Sequence, residues 1–342
     1  MLDDLKFIHQ RDPQDALGVA EKQYEQLMHH FAVKPIDFRP EQIVCTGMGG
    51  SALGPLISGS WPGYTVPFEI VRNYDIPNYT SHKTLFIASS YSGNTEETLT
   101  ALAQAEAMHA HIAVIANGGR LQQIAEGKSY PFAHLPTVGQ PRFAMLSSLK
   151  AVVSLLESTG LLAATAIDDE LHKTAKFLQA STSAWRPDVP TVRNRAKQIA
   201  QEIIGKSAVI YSGPKLYPAA YKWKIDINEN AKHIAWANQY PEFNHNEFIG
   251  WSKQPVDKPY TVIELRSSFE HERVQKRFIV SERLLSGLRP APIVVQAEGN
   301  TILEQLVWTI ALGDFVSIYT ALLNNINPSP VDLVEKFKKA LA

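Results

Sequence analysis

Residues 84–95 read TLFIASSYSGNT, and this order of residue types decides the fold. Leu85, Phe86, Ile87 and Ala88 form a short continuous apolar run of the kind that is buried on both faces of a parallel sheet. Glu96, Glu97, Leu99, Leu102 and Ala105 then take up helical spacing. Ser90, Ser92 and Thr95 therefore fall where a strand stops and unpaired helical N–H groups begin, which is a ready site for an anion. Hydroxyls and backbone amides supply the donors and the helix dipole supplies partial positive charge, so no lysine is required. The same residues also fit an ordinary capped turn, with Ser92 or Asn94 as the cap and Gly93 in the bend.

A second junction of this kind lies upstream. Ile43, Val44 and Cys45 lead into Gly47, Met48, Gly49, Gly50, Ser51 and Ala52. The glycines let backbone approach a ligand closely, and Ser51 stands where it caps a helix or meets a ligand oxygen. The GK[ST] ending of a nucleotide-binding P-loop is absent from this run.

Length and composition set the frame. The chain has 342 residues, and that length predicts about two domains. Its 33 basic and 34 acidic residues leave a net charge of -1, which gives a nucleic-acid backbone nothing to bind. A hydrophobic content of 45% is that of a globular protein, and the reading finds no apolar run approaching the roughly 20 residues that cross a bilayer. The opening MLDDLKFIHQRD is polar, unlike a secretory signal. Cys45 is the single cysteine and lies in an expected core strand, which excludes an internal disulfide and points to a cytoplasmic setting.

Along the chain, residues 1–40 read as a helical arm, followed by expected strands at 42–46, 67–71, 84–89, 111–116 and 131–135. Alternation of strand and helix predicts a parallel sheet covered on both faces. Helices at 144–158 and 167–182, broken at Gly160, link to a second half that begins after Pro187 and Pro190. There the order repeats, with strands at 207–211, 262–265 and 293–296 and with Gly213-Pro214 in the turn matching 47–51. The expected architecture is α/β: two doubly wound parallel-sheet domains with a helical N-terminal arm and a C-terminal helix. Its bounds are residues 1–155 for the first domain, 156–185 for the linking helices and 186–342 for the second domain. Ligands in such sheets gather at the carboxyl ends of the strands.

The densest polar stretch is 222–251, KWKIDINENAKHIAWANQYPEFNHNEFIGW. Carboxylates at Asp226, Glu229, Glu242 and Glu247 and imidazoles at His233 and His245 alternate with Trp223, Trp236, Tyr240, Phe243, Phe248 and Trp251. A carboxylate held among aromatic rings loses solvation, which suits a general base, and Glu229 with His245 forms a candidate acid–base couple. A structural histidine hydrogen-bonded to a neighbouring carbonyl is the simpler account of His245. The spacing of His233, Glu242, His245 and Glu247 matches neither an HExxH helix nor a facial triad, so no metal is expected.

Taken together, GMGGSALG at 47–54, SYSGNTEET at 90–98, PRF at 141–143, NENAKH at 228–233 and FNHNE at 243–247 resemble the bifunctional phosphoglucose/phosphomannose isomerase family, in order and across essentially the whole chain. That family is built from two sugar-isomerase (SIS) domains, so the resemblance implies the SIS fold for both halves. It implies that Ser90, Ser92 and Thr95 bind the sugar phosphate, while Gly49, Gly50 and Ser51 line the reacting end. Arg142 would stabilise developing negative charge, Glu229 would move a proton between C1 and C2, and His245, supplied by the second subunit of a homodimer, would assist ring opening. A lysine on the C-terminal helix would sit at the ring oxygen. In PSPVDLVEKFKKALA Lys338 fits best, with Lys336 and Lys339 as neighbours and a solvated basic face as the plain alternative. For Arg142 the plain alternative is a surface residue after a loop.

The activity so implied is interconversion of glucose 6-phosphate and fructose 6-phosphate through an enediolate, without metal or cofactor, with mannose 6-phosphate left open as a second aldose. The partners implied are the sugar phosphate and a second copy of the chain, with no nucleic acid and no membrane. A non-catalytic sugar-phosphate-binding regulator is the competing reading, and it would need the hydroxyl cradle but not Glu229 and His245. The isomerase half of a glucosamine 6-phosphate synthase is a third, although no cysteine lies near the N-terminus.

Overall fold

A computed structural model describes residues 1–162, 164–253 and 259–341. They form two compact units, Lys22–Phe177 and Met1–Glu21 together with Leu178–Ala342. Strands in the first unit are β1 (Gln42–Thr46), β2 (Phe68–Val71), β3 (Thr84–Ser90), β4 (His111–Ala116) and β5 (Phe132–His134), in the order β2-β1-β3-β4-β5. The second unit holds β6 (Ser207–Ser212), β7 (Ala235–Gln239), β8 (Tyr260–Arg266) and β9 (Ile293–Gln296), in the order β7-β6-β8-β9. The named pairings are all parallel.

The apolar run at residues 85–88 becomes the centre of the first sheet. Every residue of β3 is buried, and its side chains alternate between two cores. Ile43, Cys45, Leu85, Ile87, Ala113 and Ile115 pack on one face. Val44, Phe86, Ala88, Val114 and Ala116 pack on the other. Cys45 is fully buried, and burial pushes its thiol far above the usual range. Helices cover both faces, so strands without polar alternation are what the geometry requires.

The arm divides. Its helices are Leu5–Arg11, Ala16–Glu21 and Tyr24–Leu27, and the first 21 residues belong to the second unit. Polar locks hold them there. Asp3 accepts from the Thr191 amide and hydroxyl, both at 2.8 Å, and from the fully buried Lys197 ammonium at 3.2 Å. Asp12 is buried and caps the next helix by accepting from the Ala16 and Leu17 amides at 2.8 and 2.9 Å.

Two further features differ from the sequence reading. The polar stretch contains a strand, β7, whose AWANQ sequence has neither β-branched residues nor an apolar face; it lies at the sheet edge and is held by backbone pairing to β6. The helix Ile302–Leu323 is 22 residues long with mean hydropathy 1.7, so an apolar run of bilayer length does exist. That run serves as the core helix of the second unit: 94% of its apolar window is buried, and it packs against Tyr217–Glu229 and Arg195–Ile203. Burial on all sides removes any need for a polar face.

The core helix and Tyr217–Glu229 pack tightly at Gly313, where a Cβ would stand 2.3 Å from Trp223 Nε1. The indole is itself pinned, because Nε1 donates to the Thr309 carbonyl at 2.7 Å. Gly313→Val should therefore lower stability by about 1–3 kcal/mol through overpacking, read as a shifted urea midpoint. An unchanged midpoint would refute this packing.

Candidate functional site

In the first unit, β3 ends in a loop whose hydroxyls face one another. Ser90 Oγ and Thr95 Oγ1 lie 2.7 Å apart, and Ser92 Oγ is 3.5 Å from Ser90 Oγ. The Gly93 amide donates to Ser90 Oγ at 3.1 Å, and the Asn94 amide to Ser92 Oγ at 3.3 Å. Thr95 stands at the cap position of the helix Glu96–Ala107, yet its side chain makes no capping bond. Its hydroxyl is turned toward Ser90 instead, which leaves the positive end of the helix to a ligand. Ser90 is buried, Thr95 half-buried and Ser92 exposed, so the cradle grades from core to surface.

A neighbouring loop holds this one in place. The Asn117 and Leu121 amides donate to the Tyr91 and Gly93 carbonyls at 3.0 Å, and the Arg120 amide to Asn94 Oδ1 at 3.0 Å. Gly93 has φ +67°, and a Cβ there would meet the Gly118 carbonyl oxygen at 1.8 Å. Only glycine satisfies both conditions.

The GMGGS turn joins the same end of the sheet. Ser51 Oγ accepts from the Tyr91 amide at 2.9 Å, and Ser89 Oγ donates to the Ser51 carbonyl at 2.9 Å. Ser51 thus ties the two junctions together. A Cβ on Gly50 would lie 2.9 Å from the backbone nitrogen of Arg142, so the PRF segment passes directly against this turn. Gln26 anchors the segment: its amide group donates to the Phe143 carbonyl at 2.7 Å and accepts from the Ser147 amide at 2.9 Å. Arg142 itself is 1% exposed, against the alternative of a surface position. A buried guanidinium is costly to folding unless it is paired, and Arg142 donates to Gln140 Oε1 at 3.4 Å. The first unit therefore brings Gly49, Gly50, Ser51, Ser90, Ser92, Thr95 and Arg142 to the carboxyl ends of β1 and β3 and the turn beside them.

The matching turn of the second unit is different. The carboxylate of Glu270 fills it, accepting from the Lys215 amide at 2.7 Å, and a Cβ on Gly213 would be 2.3 Å from the Glu270 carboxyl carbon. Burial holds the Glu270 carboxyl above its usual range. A side chain of the chain itself thus fills this turn.

Glu229 lies elsewhere, as the last residue of the helix Tyr217–Glu229 and half-buried. A carboxylate at a helix C-terminus faces the unfavourable end of the dipole, so this placement does nothing for the helix. Its neighbours in NENAKH are each engaged. Asn228 accepts from the Ala235 amide at 2.9 Å, and Asn230 donates to Ser317 Oγ at 2.8 Å. Lys232 donates to the carbonyls of Asn230, Asn327 and Pro328 at 3.2, 3.1 and 3.0 Å, and His233 meets Asn324 at 3.1 Å. The sequence reading singled out Glu229 but gave these neighbours no part in holding it.

His245 closes the short turn Glu242–His245 after β7 and is exposed. Glu229 precedes β7 and His245 follows it, so the five-residue strand lies between the two along the chain. Beside this turn is a cavity of about 430 Å³ walled by Trp236, Trp251 and Tyr260, with Asn238 and Glu247 as its polar groups. Asn238 donates to Glu247 at 2.6 Å, and Tyr211 donates to its other oxygen. The cavity lining includes neither Glu229 nor His245. Lys338 sits on the exposed helix Asp332–Leu341 and pairs with Glu335 at 2.8 Å. Among the described residues, no group of three or more His, Cys, Asp or Glu side chains is arranged to hold a metal.

Residues 192–341 match the model of the bacterial phospho-glucose isomerase C-terminal SIS domain. A bifunctional phosphoglucose/phosphomannose isomerase from Caldicellulosiruptor bescii is 34% identical over 306 residues, covering 88% of this chain and 90% of that one. A D-glucosamine-6-phosphate 4-epimerase from Sulfolobus acidocaldarius is 34% identical over 217 residues, 63% of this chain and 65% of that one. Among solved structures, a glucose-6-phosphate isomerase like protein from Thermus thermophilus superposes with TM-score 0.66 over 99% of this chain and 98% of that one at 17% identity, a likeness of fold. With a fold of two parallel-sheet SIS-type units and a full-length relative at this identity, the chain belongs to the bifunctional phosphoglucose/phosphomannose isomerase family.

Proposed function

We propose that this chain is an aldose–ketose isomerase that interconverts glucose 6-phosphate and fructose 6-phosphate and takes mannose 6-phosphate as a second aldose. The observation that carries the reading is the hydroxyl cradle at the end of β3, where a cap residue gives up its capping bond and leaves a helix N-terminus to an anion. Ser90, Ser92 and Thr95 hold the phosphate, and Gly49, Gly50 and Ser51 admit the reacting end of the sugar. No metal and no redox carrier enters the reaction, which only moves protons within one carbon skeleton.

Ring opening needs a proton delivered to the ring oxygen and one taken from the C1 hydroxyl, work suited to His245 and Lys338. Glu229 then removes the proton from C2 of the aldose and returns it to C1, and the intermediate enediolate spreads negative charge over O1 and O2. Arg142 is a permanent cation that stabilises this charge without losing its own proton, an effect worth roughly 3 kcal/mol of barrier for one such donor. The separation of Glu229 and His245 along β7 supports a homodimer in which His245 serves the other copy. The reaction belongs to the cytoplasmic steps of glycolysis and gluconeogenesis.

Glu229→Gln should reduce kcat by at least about a thousandfold and leave the KM for fructose 6-phosphate within a fewfold, because it removes proton transfer but keeps the shape. Wild-type turnover would end its assignment as the base. Ser92→Ala combined with Thr95→Val should raise KM for phosphorylated sugars at least about tenfold, since two donors to the phosphate are lost; equal KM values before and after would show that the phosphate sits elsewhere. In deuterated water, product should carry deuterium at the carbon that received the proton. The regulator reading predicts sugar-phosphate binding with no such exchange, and the likeness to a 4-epimerase makes glucosamine 6-phosphate the control substrate.

A further inference from the structure

Lys222, Asp226 and Asp314 are each 0% exposed and meet in the interior of the second unit. Lys222 Nζ donates to both oxygens of Asp226 at 2.5 Å and to Asp314 Oδ1 at 2.6 Å. Lys222 and Asp226 lie on the helix that ends in Glu229, and Asp314 lies on the core helix Ile302–Leu323. Burial, and then the neighbouring Asp314, holds the Asp226 carboxyl well above the usual range, while the two carboxylates outweigh burial and keep Lys222 charged.

Such a cluster is a poor way to gain stability. Apolar side chains of the same volume would hold two helices as well or better, because they carry no desolvation cost. What ionic groups add is register: they bond at one rotation and one axial offset, whereas an apolar seam tolerates slip. The spacing on the helix fits this purpose. Residues 222, 226, 229 and 230 follow at intervals of four, three and one, so Lys222, Asp226, Glu229 and Asn230 share one face. Asn230 bonds Ser317 at 2.8 Å one turn below Asp314, which pins the same face a second time next to Glu229.

We propose that Lys222, Asp226 and Asp314 are positioning residues: they fix the rotation and offset of the helix that ends in Glu229, and so set where the carboxylate of Glu229 stands. This rests on Glu229 being the base. Displacing a proton-transfer group by a fraction of an ångström to one ångström slows chemistry strongly while leaving substrate binding, which other residues provide, nearly unchanged.

The test uses the full-length chain in two forms. Lys222→Met with Asp226→Leu and Asp314→Leu replaces the cluster by apolar volume, and Asp314→Asn alone keeps shape and a one-to-one Lys222–Asp226 pair. The triple variant is expected to fold with a thermal midpoint no lower than wild type, to lose about 10- to 100-fold in kcat with KM for fructose 6-phosphate within threefold, and to show faster amide exchange at residues 228–230. Asp314→Asn is expected to move in the same direction by a smaller factor, and it carries the test if the triple variant does not fold. A folded variant with wild-type kcat overturns the proposal, as does failure of both forms to fold, which would make the triad a plain structural requirement. Glu229→Gln run beside them separates the two readings. If that variant keeps activity, the base assignment falls, while the exchange rates still report whether the triad holds the end of the helix.

Discussion

The interlock of two loops at the carboxyl end of the first sheet is the constraint on which the proposed phosphate cradle depends. The Gly118 carbonyl occupies the space where any side chain at position 93 would begin, and Gly93 meets it with φ +67°. Backbone bonds from Asn117 and Leu121 and a side-chain bond from Asn94 close the contact. A loop held in this way does not need Thr95 as a helix cap, so its hydroxyl can face Ser90 and the helix end stays open to an anion. Ser51 extends the same scaffold to the GMGGS turn by accepting from the Tyr91 amide.

The two units repeat an architecture without repeating a site. Where the GMGGS turn of the first unit packs against the backbone of Arg142, the matching turn of the second is covered by the carboxylate of Glu270. Glu229, the base proposed for the reaction, stands at the other end of a helix, against the dipole and among bonded neighbours. Parallel sheets place ligands at strand carboxyl ends as a rule. Glu229 lies before β7 rather than after it, so as the proposed base it would depart from that rule.

Much of this was legible in order and spacing, and the misses have physical causes. Strand β3 and the hydroxyls after it were readable because an apolar run buried on both faces tolerates no polar interruption, so its end is sharp. Strand β7 was not, because an edge strand is held by backbone pairing and its AWANQ side chains answer to other demands. The helix Ile302–Leu323 escaped notice as a long apolar segment because Gln305 and Asp314 interrupt it. Asp314 pairs with a lysine 92 residues away in sequence. Arg142 read equally well as a surface residue, since no local pattern distinguishes a guanidinium that tertiary packing later buries to 1% exposure.

By itself the sequence determined the alternation of strands and helices, the two parallel sheets, the hydroxyl-rich junction and the family motifs, because these follow from local periodicity and from residue types that suit one backbone conformation. Tertiary structure decided which junction stays open and which is filled by Glu270, that residues 1–21 join the second unit, and that Lys222 finds Asp314. These outcomes depend on contacts between residues tens to hundreds of positions apart, and no local pattern encodes a distance that exists only after the chain has folded.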